Sequence, residues 1–146
     1  MDDRKYEGLK LKNQLCFPLY AVSKEVVKKY RPYLDELDLT YTQYITMLVL
    51  WEHKQMSVKD LGAKLFLDSG TLTPVLKSLE RKGYLTRKRS LSDERVLDVT
   101  LTASGETLKE KAVHIPQAVA SCINLQGEDA ILLYQLLYKI LGTVHE

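Results

Sequence analysis

The 146-residue sequence is poor in cysteine, and it has neither a long apolar run nor a glycine-rich phosphate-binding loop. Its two cysteines, Cys16 and Cys122, are too few for a disulfide framework, so the fold must depend on a packed core. The longest apolar run, Met47 to Trp51, is far shorter than the roughly 20 residues that a membrane helix needs. These features exclude a disulfide-rich scaffold and favour a protein without membrane spans.

The sequence also has no pattern typical of a secretory signal or a metal site. The first residues, MDDRKYEGLK, are polar and carry both signs of charge, so we expect a cytoplasmic protein with reduced thiols. The histidines, His53, His114 and His145, are scattered without metal-ligand spacing. We therefore expect no metal and no cofactor.

Positive charge is concentrated in one part of an otherwise near-neutral chain. The net charge is only +2, but lysine and arginine outnumber acids between Lys77 and Arg95. Such a local excess is typical of a surface that contacts phosphates, although a solvated charged face is an alternative. The composition, 45% hydrophobic and 27% charged, is sufficient for a folded core around this surface.

The first half of the chain shows helical periodicity. Apolar residues recur at spacings of three and four from Leu9 to Leu34. Pro18 interrupts this pattern, so the helix either kinks there or starts near it, and we expect Pro32 to end or bend it. A capping box from Thr40 to Gln43 predicts the start of a second helix. A short third helix follows, in which Gly62 indicates a close packing contact.

The second half contains a helix, two strands and two more helices. The cap residues Asp68 to Thr71 open a helix that should end at Gly83. Residues 84–89 and 95–101 then alternate as strands and predict a hairpin with a charged tip. A long helix should run from Thr102 to about Asn124 with a kink at Pro116, and a last helix should start near residue 127.

Short helices followed by a two-stranded ribbon are the layout of a winged helix-turn-helix. The helix from Ser69 to Lys82 can expose polar residues to a DNA groove while its leucines pack inward. Arg95 at the hairpin tip can enter the minor groove, and neighbouring acids can hold its guanidinium. A solvated hairpin with a surface ion pair is the alternative. The candidate DNA-binding residues are Ser69, Gly70, Thr71, Thr73, Pro74, Lys77, Arg81, Arg87, Lys88, Arg89, Asp93 and Arg95.

Four sequence runs closely resemble the MarR family of winged-helix regulators over nearly the whole chain. They are LDSGTLTP (67–74), LERKGYL (79–85), SDER (92–95) and LTASG (101–105). The first of these, together with NQLCF (13–17), is similar to the OhrR branch, which responds to organic hydroperoxides. The resemblance implies a homodimer that represses genes on a pseudo-palindromic double-stranded DNA operator until a thiol is oxidised.

The resemblance also implies how the chain is divided. We expect a mainly α fold with a small β-hairpin wing, in which residues 37–102 form the winged helix-turn-helix. Residues 1–36 and 103–146 should form the N- and C-terminal dimerisation helices. The sequence agrees, because these terminal helices are too apolar to be solvent-exposed tails.

Cys16 is the oxidation sensor that the resemblance implies, with Tyr30 and Tyr41 hydrogen-bonded to it and Tyr20 one turn away in the same pocket. The reactive form of cysteine is the thiolate, which tyrosine hydroxyls and a helix N-terminus favour. Oxidation gives a sulfenic acid that condenses with another thiol. Spacing alone also allows Cys16 to be a small buried core residue.

Cys122 lies where two-cysteine relatives carry a resolving cysteine. The resemblance therefore favours an intersubunit disulfide between Cys16 and Cys122, and a mixed disulfide with a low-molecular-weight thiol is the alternative. Pro18, directly after the Cys-Phe pair, departs from the pattern of most relatives and bears on the sensing pocket.

Two further functions stay open at this point. The first is a regulator controlled by a small phenolic or lipophilic ligand, with Cys16 merely lining its pocket. The second is a thiol redox enzyme, which finds little support because the chain has no C-x-x-C motif and the basic segment would be unexplained. We therefore expect no enzyme activity.

Overall fold

The computed structural model describes residues 3–144, so His145 lies outside the described residues. Two short 3-10 segments, Asp3–Leu9 and Leu11–Asn13, precede the first α-helix. The elements that follow are α1 (Cys16–Glu36), α2 (Tyr41–His53), β1 (Gln55–Ser57), α3 (Val58–Leu65), α4 (Ser69–Arg81), β2 (Leu85–Arg89), β3 (Leu97–Leu101), α5 (Ala103–Ala112), α6 (Ile115–Ala120) and α7 (Gly127–Val144).

Both prolines of the first helix lie inside α1. Pro18 is in the first turn, where backbone N–H groups have no helical partner, so the expected start near Pro18 is confirmed. The helix continues past Pro32 to Glu36, so an end at Pro32 is wrong. The missing hydrogen bond is tolerated because Leu34, in the following turn, is buried in the core.

The predicted helix caps are confirmed. The Thr40 hydroxyl accepts from the Gln43 N–H at 3.2 Å, and the Gln43 side chain accepts from the Thr40 N–H at 3.0 Å. Asp68 accepts from the Thr71 N–H at 2.7 Å at the start of α4. Gly83 follows α4 with a φ of +83°, a left-handed conformation that favours glycine. These local signals fix the boundaries of α2 and α4.

The wing belongs to a three-stranded antiparallel sheet in the order β1-β3-β2. Leu85 pairs with Leu101 in the predicted hairpin, and Met56 of β1 pairs with Val99 on the other side of β3. The sequence missed β1 because three residues are too few to show strand alternation. Its pairing with β3 anchors the base of the wing against α3.

The core lies between α2, α3, α4 and the sheet. Met47, Leu50 and Leu61 are fully buried there. The predicted close contact at Gly62 is confirmed, because a Cβ at this position would lie 2.9 Å from the Leu67 carbonyl oxygen. The winged-helix part is therefore a packed unit, and the inner face of α4 is buried in its core.

The long helix expected after Thr102 is divided in two, so that prediction is wrong. The helix α5 ends at Ala112, and α6 begins at Ile115 with Pro116 in its first turn. In one continuous helix, Pro116 could not donate to the Ala112 carbonyl, and its ring would clash with that group. The helix therefore stops at Ala112 and starts again, rather than kinking.

Apolar side chains cover the start of α1 and most of α7 without being buried in the protomer. Leu15 is 86% exposed, and Ile131 and Tyr134 are each 62% exposed. A helix with such a surface needs a partner to cover it. No helix among residues 3–144 has the length and apolar character needed to span a membrane.

Candidate nucleic-acid interface and thiol site

The helix α4 turns one face to the core and the other to solvent. Its leucines, Leu72, Leu76 and Leu79, are buried. The opposite face exposes six of the candidate residues, Ser69, Gly70, Thr71, Pro74, Lys77 and Arg81. Thr73 is only half-buried, and its hydroxyl donates to the Ser69 carbonyl at 2.7 Å. The exposed face can therefore enter a groove without disturbing the core.

The start of α4 is capped by a carboxylate. Asp68 accepts the Thr71 N–H, and this backbone hydrogen bond lowers the pKa of Asp68 below its usual range. The Thr71 N–H is therefore occupied. The side chains of Ser69 and Thr71 at this helix end are exposed.

An ion pair fixes the tip of the wing. The Arg95 guanidinium donates to Asp93 through Nε at 3.1 Å and Nη2 at 3.2 Å. The Arg95 side-chain hydrogen bond is the main cause of the lowered pKa of Asp93. Arg95 is nevertheless 91% exposed. The predicted pairing with a neighbouring acid is thus present at Asp93, and the guanidinium still faces solvent.

The basic residues of β2 divide into two kinds. Arg87 donates through Nε at 3.2 Å and Nη2 at 3.1 Å to Glu80 on α4, and its N–H donates to the same carboxylate at 2.8 Å. These bonds, led by the backbone one, lower the pKa of Glu80. Arg87 therefore joins the wing to α4, whereas Lys88 and Arg89 are exposed and free to face phosphates.

Cys16 is the first residue of α1, and it is exposed rather than buried in the protomer. The small-core-residue alternative is therefore wrong for the protomer. Leu15, Phe17 and Leu19 beside it are also exposed. Together they place the thiol at a helix N-terminus within an apolar surface.

Three tyrosines form a cluster on α1 and α2. The Tyr30 ring centroid lies 5.0 Å from that of Tyr41 and 5.6 Å from that of Tyr44. Burial raises the pKa of Tyr30 and of Tyr41, and it raises the pKa of Tyr44 to about 12. Their hydroxyls therefore stay protonated and can donate. Tyr44 was not among the residues predicted from the sequence, although its spacing of three from Tyr41 places both on one helix face.

Cys16 and the tyrosine cluster do not meet within one protomer. Cys16 and Tyr30 lie on the same helix, and the rise of 1.5 Å per residue separates them by about 21 Å. Tyr20 is closer, one turn from Cys16, but it is 60% exposed and its ring faces Lys24 Nζ at 5.0 Å. The expected pocket is therefore not assembled by a single chain.

Cys122 follows α6 and lies near the other end of α1. Its Sγ donates to the Ala118 carbonyl at 3.4 Å. Tyr33 lies beside it, and the electrostatic effect of Cys122 is the main cause of the raised pKa of Tyr33. Tyr33 is about 25 Å from Cys16 along α1. This exceeds the reach of a disulfide, whose Cα atoms lie within about 7 Å, so the two cysteines of one protomer cannot pair.

The comparisons with known proteins agree with this architecture. The family described as "Transcriptional regulator SarA/Rot" matches residues 22–112. An organic hydroperoxide resistance transcriptional regulator of Bacillus subtilis is 50% identical over 144 residues, which are 99% of this chain and 98% of that protein.

Two solved structures of AbfR, a protein of Staphylococcus epidermidis, are also similar. Reduced AbfR bound to DNA has a TM-score of 0.79 and 35% identity, with coverage of 97% of this chain and 99% of that chain. Disulfide-formed AbfR has a TM-score of 0.67 and 36% identity, with both chains fully covered at 100%. The chain therefore belongs to the SarA/Rot family of transcriptional regulators, and it is a MarR-type winged-helix protein.

Proposed function

We propose that this chain is a redox-sensing repressor that binds a palindromic operator as a homodimer and releases it when an organic hydroperoxide oxidises Cys16. The observation that carries the proposal is the exposed Cys16 thiol at the N-terminus of α1, within an apolar surface, in a chain that also presents an exposed α4 and a fixed wing arginine. The relative from Bacillus subtilis is named for organic hydroperoxide resistance, and AbfR has reduced, DNA-bound and disulfide forms.

The exposed apolar surfaces support the dimer. The side chains of α7 and the start of α1 are apolar and uncovered in the protomer. A second copy of the chain would cover them, with residues 1–36 and 103–146 as the dimerisation region and residues 37–102 as the DNA-binding region. Two α4 helices would then enter successive major grooves about one helical turn apart. The protein would act in the cytoplasm.

The sensing pocket in this proposal spans the dimer interface. Since Cys16 cannot reach Tyr30 or Tyr41 of its own chain, the hydroxyls that support its thiolate would be those of the partner's Tyr30 and the partner's Tyr41. The thiolate attacks one peroxide oxygen of the hydroperoxide. An S–O bond forms, the O–O bond breaks, and an alcohol leaves after taking a proton. Cys16 is thereby oxidised to sulfenic acid.

Cys122 of the partner subunit is then the resolving thiol. Its thiolate attacks the Cys16 sulfur, an S–S bond forms, and hydroxide leaves and is protonated to water. A mixed disulfide with a low-molecular-weight thiol is the alternative end state. The geometry within one protomer supports the intersubunit pair, because the two cysteines lie at opposite ends of α1.

A polar contact offers a route from this region to the DNA-binding helix. Gln43, on the same helix as Tyr41, is buried and donates through Nε2 to the Ser78 hydroxyl of α4 at 3.0 Å. Movement of α1 and α2 on disulfide formation would therefore displace α4. The distance between the two α4 helices of the dimer would then no longer match successive major grooves, and the operator would be released.

The other two functions are less favoured. An apolar groove lined by Val58, Phe66 and Leu72 lies between α3 and α4, inside the winged helix rather than beside Cys16. A ligand there would leave the placement of the thiol unexplained. We also propose that the chain is not an enzyme, since its relatives are transcriptional regulators.

The proposed function is tested by measuring covalent dimer formation, by non-reducing electrophoresis, and operator binding in the same oxidised samples. After organic hydroperoxide treatment, the wild type should give a covalent dimer that Cys122→Ser abolishes, and loss of operator binding should follow the same time course. A monomer band whose mass is increased by that of a small thiol would show that the oxidised end state is a mixed disulfide rather than the intersubunit disulfide. Retained operator binding by a fully oxidised wild type would refute the function.

A further inference from the structure

The wing tip, residues 90–96, is a loop that its own hydrogen bonds hold in shape. It joins β2 to β3, and the Ser90 N–H donates to the Val96 carbonyl at 2.8 Å to close it. The Val96 N–H donates to the Asp93 carbonyl at 3.0 Å, and the hydroxyls of Ser90 and Ser92 lie 2.9 Å apart. The side chains of the wing tip therefore extend from an ordered backbone.

Leu91 is an apolar residue of the wing tip that the described part of the protomer leaves uncovered. Its side chain is fully exposed, with a relative accessible surface of 107%, compared with 86% for Leu15 beside Cys16. A second copy of the chain would cover Leu15, but Leu91 lies in the wing, outside the proposed dimerisation region. The hydrophobic contribution of this side chain is therefore available to a molecule that the wing binds.

Cationic side chains flank Leu91. Arg89, the last residue of β2, is exposed, and the Arg95 guanidinium is 91% exposed. Leu91 follows Ser90 and Arg95 precedes Val96, and the hydrogen bond between Ser90 and Val96 closes the loop. Leu91 and Arg95 therefore leave the hairpin at the same end, one on each side of the closing pair.

An apolar side chain next to an exposed guanidinium fits the minor groove of DNA. This groove is only about 6 Å wide, its walls are deoxyribose C–H groups, and phosphates line its edges. Arginine is attracted to the negative potential of a narrow minor groove, and apolar side chains are also used to contact this groove. The groove thus offers an anionic and an apolar surface within the reach of one loop.

We propose that Leu91 packs against deoxyribose in the minor groove beside Arg95 and makes the wing selective for a narrow groove. In a narrow groove the sugars of both strands can contact one leucine, whereas a wide groove offers the sugars of one strand only. A·T-rich tracts have the narrow form. The role of Leu91 rests on the proposed function, in which the wing contacts the operator.

The first test distinguishes an apolar contact from a charged one by its dependence on salt. The reduced wild type, Leu91→Ala and Arg95→Ala are titrated at several salt concentrations with a palindromic operator that the wild type has selected from random DNA. Leu91→Ala should weaken binding about tenfold, since the dimer inserts two wings, and leave the slope of log K against log salt unchanged. Arg95→Ala should reduce that slope by about one for each wing.

The second test changes the groove instead of the protein. Hydroxyl-radical footprinting locates the base pairs under each wing, which are then made A·T, G·C or inosine·cytosine, because inosine lacks the amino group that guanine places in the minor groove. The wild type should prefer the A·T and inosine·cytosine operators to the G·C operator. Leu91→Ala should reduce this preference about threefold, and Arg95 should supply the remainder.

Leu91→Met is the matched control, because it keeps an apolar side chain of similar size, and it should bind each operator as the wild type does. Thermal unfolding should give the same midpoint for all variants, since Leu91 contributes no buried surface to the fold.

The outcomes separate the role of Leu91 from the proposed function. Wild-type affinity in Leu91→Ala, together with weakened binding in Arg95→Ala, would overturn the role of Leu91 and leave the wing contact intact. A reduced salt slope in Leu91→Ala would also overturn it, because the residue would then act through the neighbouring charges. Wild-type affinity in both variants would instead remove the wing from the proposed interface.

Discussion

Asp93 holds the guanidinium of Arg95 at the tip of the wing, with Nε to Oδ1 at 3.1 Å and Nη2 to Oδ2 at 3.2 Å. The side chain is thus oriented while it remains 91% exposed. Orientation before binding reduces the conformational entropy that is lost when the wing meets DNA. The pair is therefore suited to insertion into a minor groove.

Substitution of this arginine should weaken operator binding. We expect Arg95→Ala to cost about 1–3 kcal/mol if the guanidinium contacts a base edge. Asp93→Asn should cost less, because it leaves the positive charge but loosens its orientation. Fluorescence anisotropy on a labelled operator at fixed salt measures both. Unchanged affinity of Arg95→Ala would remove the wing tip from the interface.

The pair between Glu80 and Arg87 predicts a pH-dependent stability. The pKa of Glu80 is lowered in the folded state, so its contribution is fully present above the unfolded value of about 4.3 and is lost as the pH falls through the folded value. Since the carboxylate is partly exposed, we expect Glu80→Gln to lose no more than about 1 kcal/mol at pH 7. The difference from wild type should shrink below pH 4.

Urea unfolding at pH 7 and at pH 3 measures this difference, with Glu110→Gln on the exposed face of α5 as the control for net charge. The control should behave like the wild type at both pH values. A Glu80→Gln deficit that is as large at pH 3 as at pH 7 would show that the carboxylate does not contribute through its charge.

Gly105 is a position that tolerates no side chain. A Cβ there would lie 2.2 Å from the Tyr84 carbonyl oxygen, and the Gly105 carbonyl itself accepts from Trp51 Nε1 at 2.8 Å. Gly105→Ala should therefore destabilise the fold by about 1–3 kcal/mol or more through overpacking. Gly142→Ala is the control, since nothing lies within 4 Å of its added Cβ in the protomer. Equal denaturation midpoints for the two variants would contradict the close packing of α5 on the wing.

A mixed dimer tests whether the sensing pocket crosses the interface. One chain carries Cys16→Ser with an intact Tyr30, and the other carries Tyr30→Phe with an intact Cys16. In the mixed dimer the remaining thiol faces an intact tyrosine only if that tyrosine belongs to the partner subunit. We expect this thiol to form sulfenic acid at the wild-type rate, whereas the Tyr30→Phe homodimer reacts more slowly.

The measurement is the rate of dimedone labelling by mass spectrometry after separation of the mixed dimer by two affinity tags. The Tyr30→Phe homodimer and the wild type set the slow and fast limits. Labelling of the mixed dimer at the slow limit would place the supporting tyrosine in the same chain as Cys16 and refute the shared pocket.

The sequence predicted those parts of the fold that depend on local signals. The capping box at Thr40, the cap at Asp68 and the turn at Gly83 each act within a few residues, and the structure has all three. The strand β1 and the break before Pro116 were missed or misread. The first depends on pairing with β3, and the second on whether an interior proline kinks a helix or interrupts it.

In the candidate sites, too, some features follow from local sequence signals and others depend on tertiary packing. Exposure of Lys77 and Arg81 follows from helix periodicity, but the engagement of Arg87 by Glu80 depends on how β2 packs on α4. The separation of Cys16 from Tyr30 could be calculated from the length of α1, whereas the family resemblance implies that the two residues share a pocket. The pocket that we propose across the dimer interface would reconcile the motif with this geometry.

Operator binding by the Cys16→Ser dimer, before and after one equivalent of organic hydroperoxide per protomer, tests the central claim most directly. Before oxidation, both proteins should bind the operator with the same affinity, because Cys16 begins α1 and lies outside residues 37–102, the proposed DNA-binding region. We predict that hydroperoxide releases the wild type and leaves Cys16→Ser bound. Release of Cys16→Ser by the same oxidant would contradict the account.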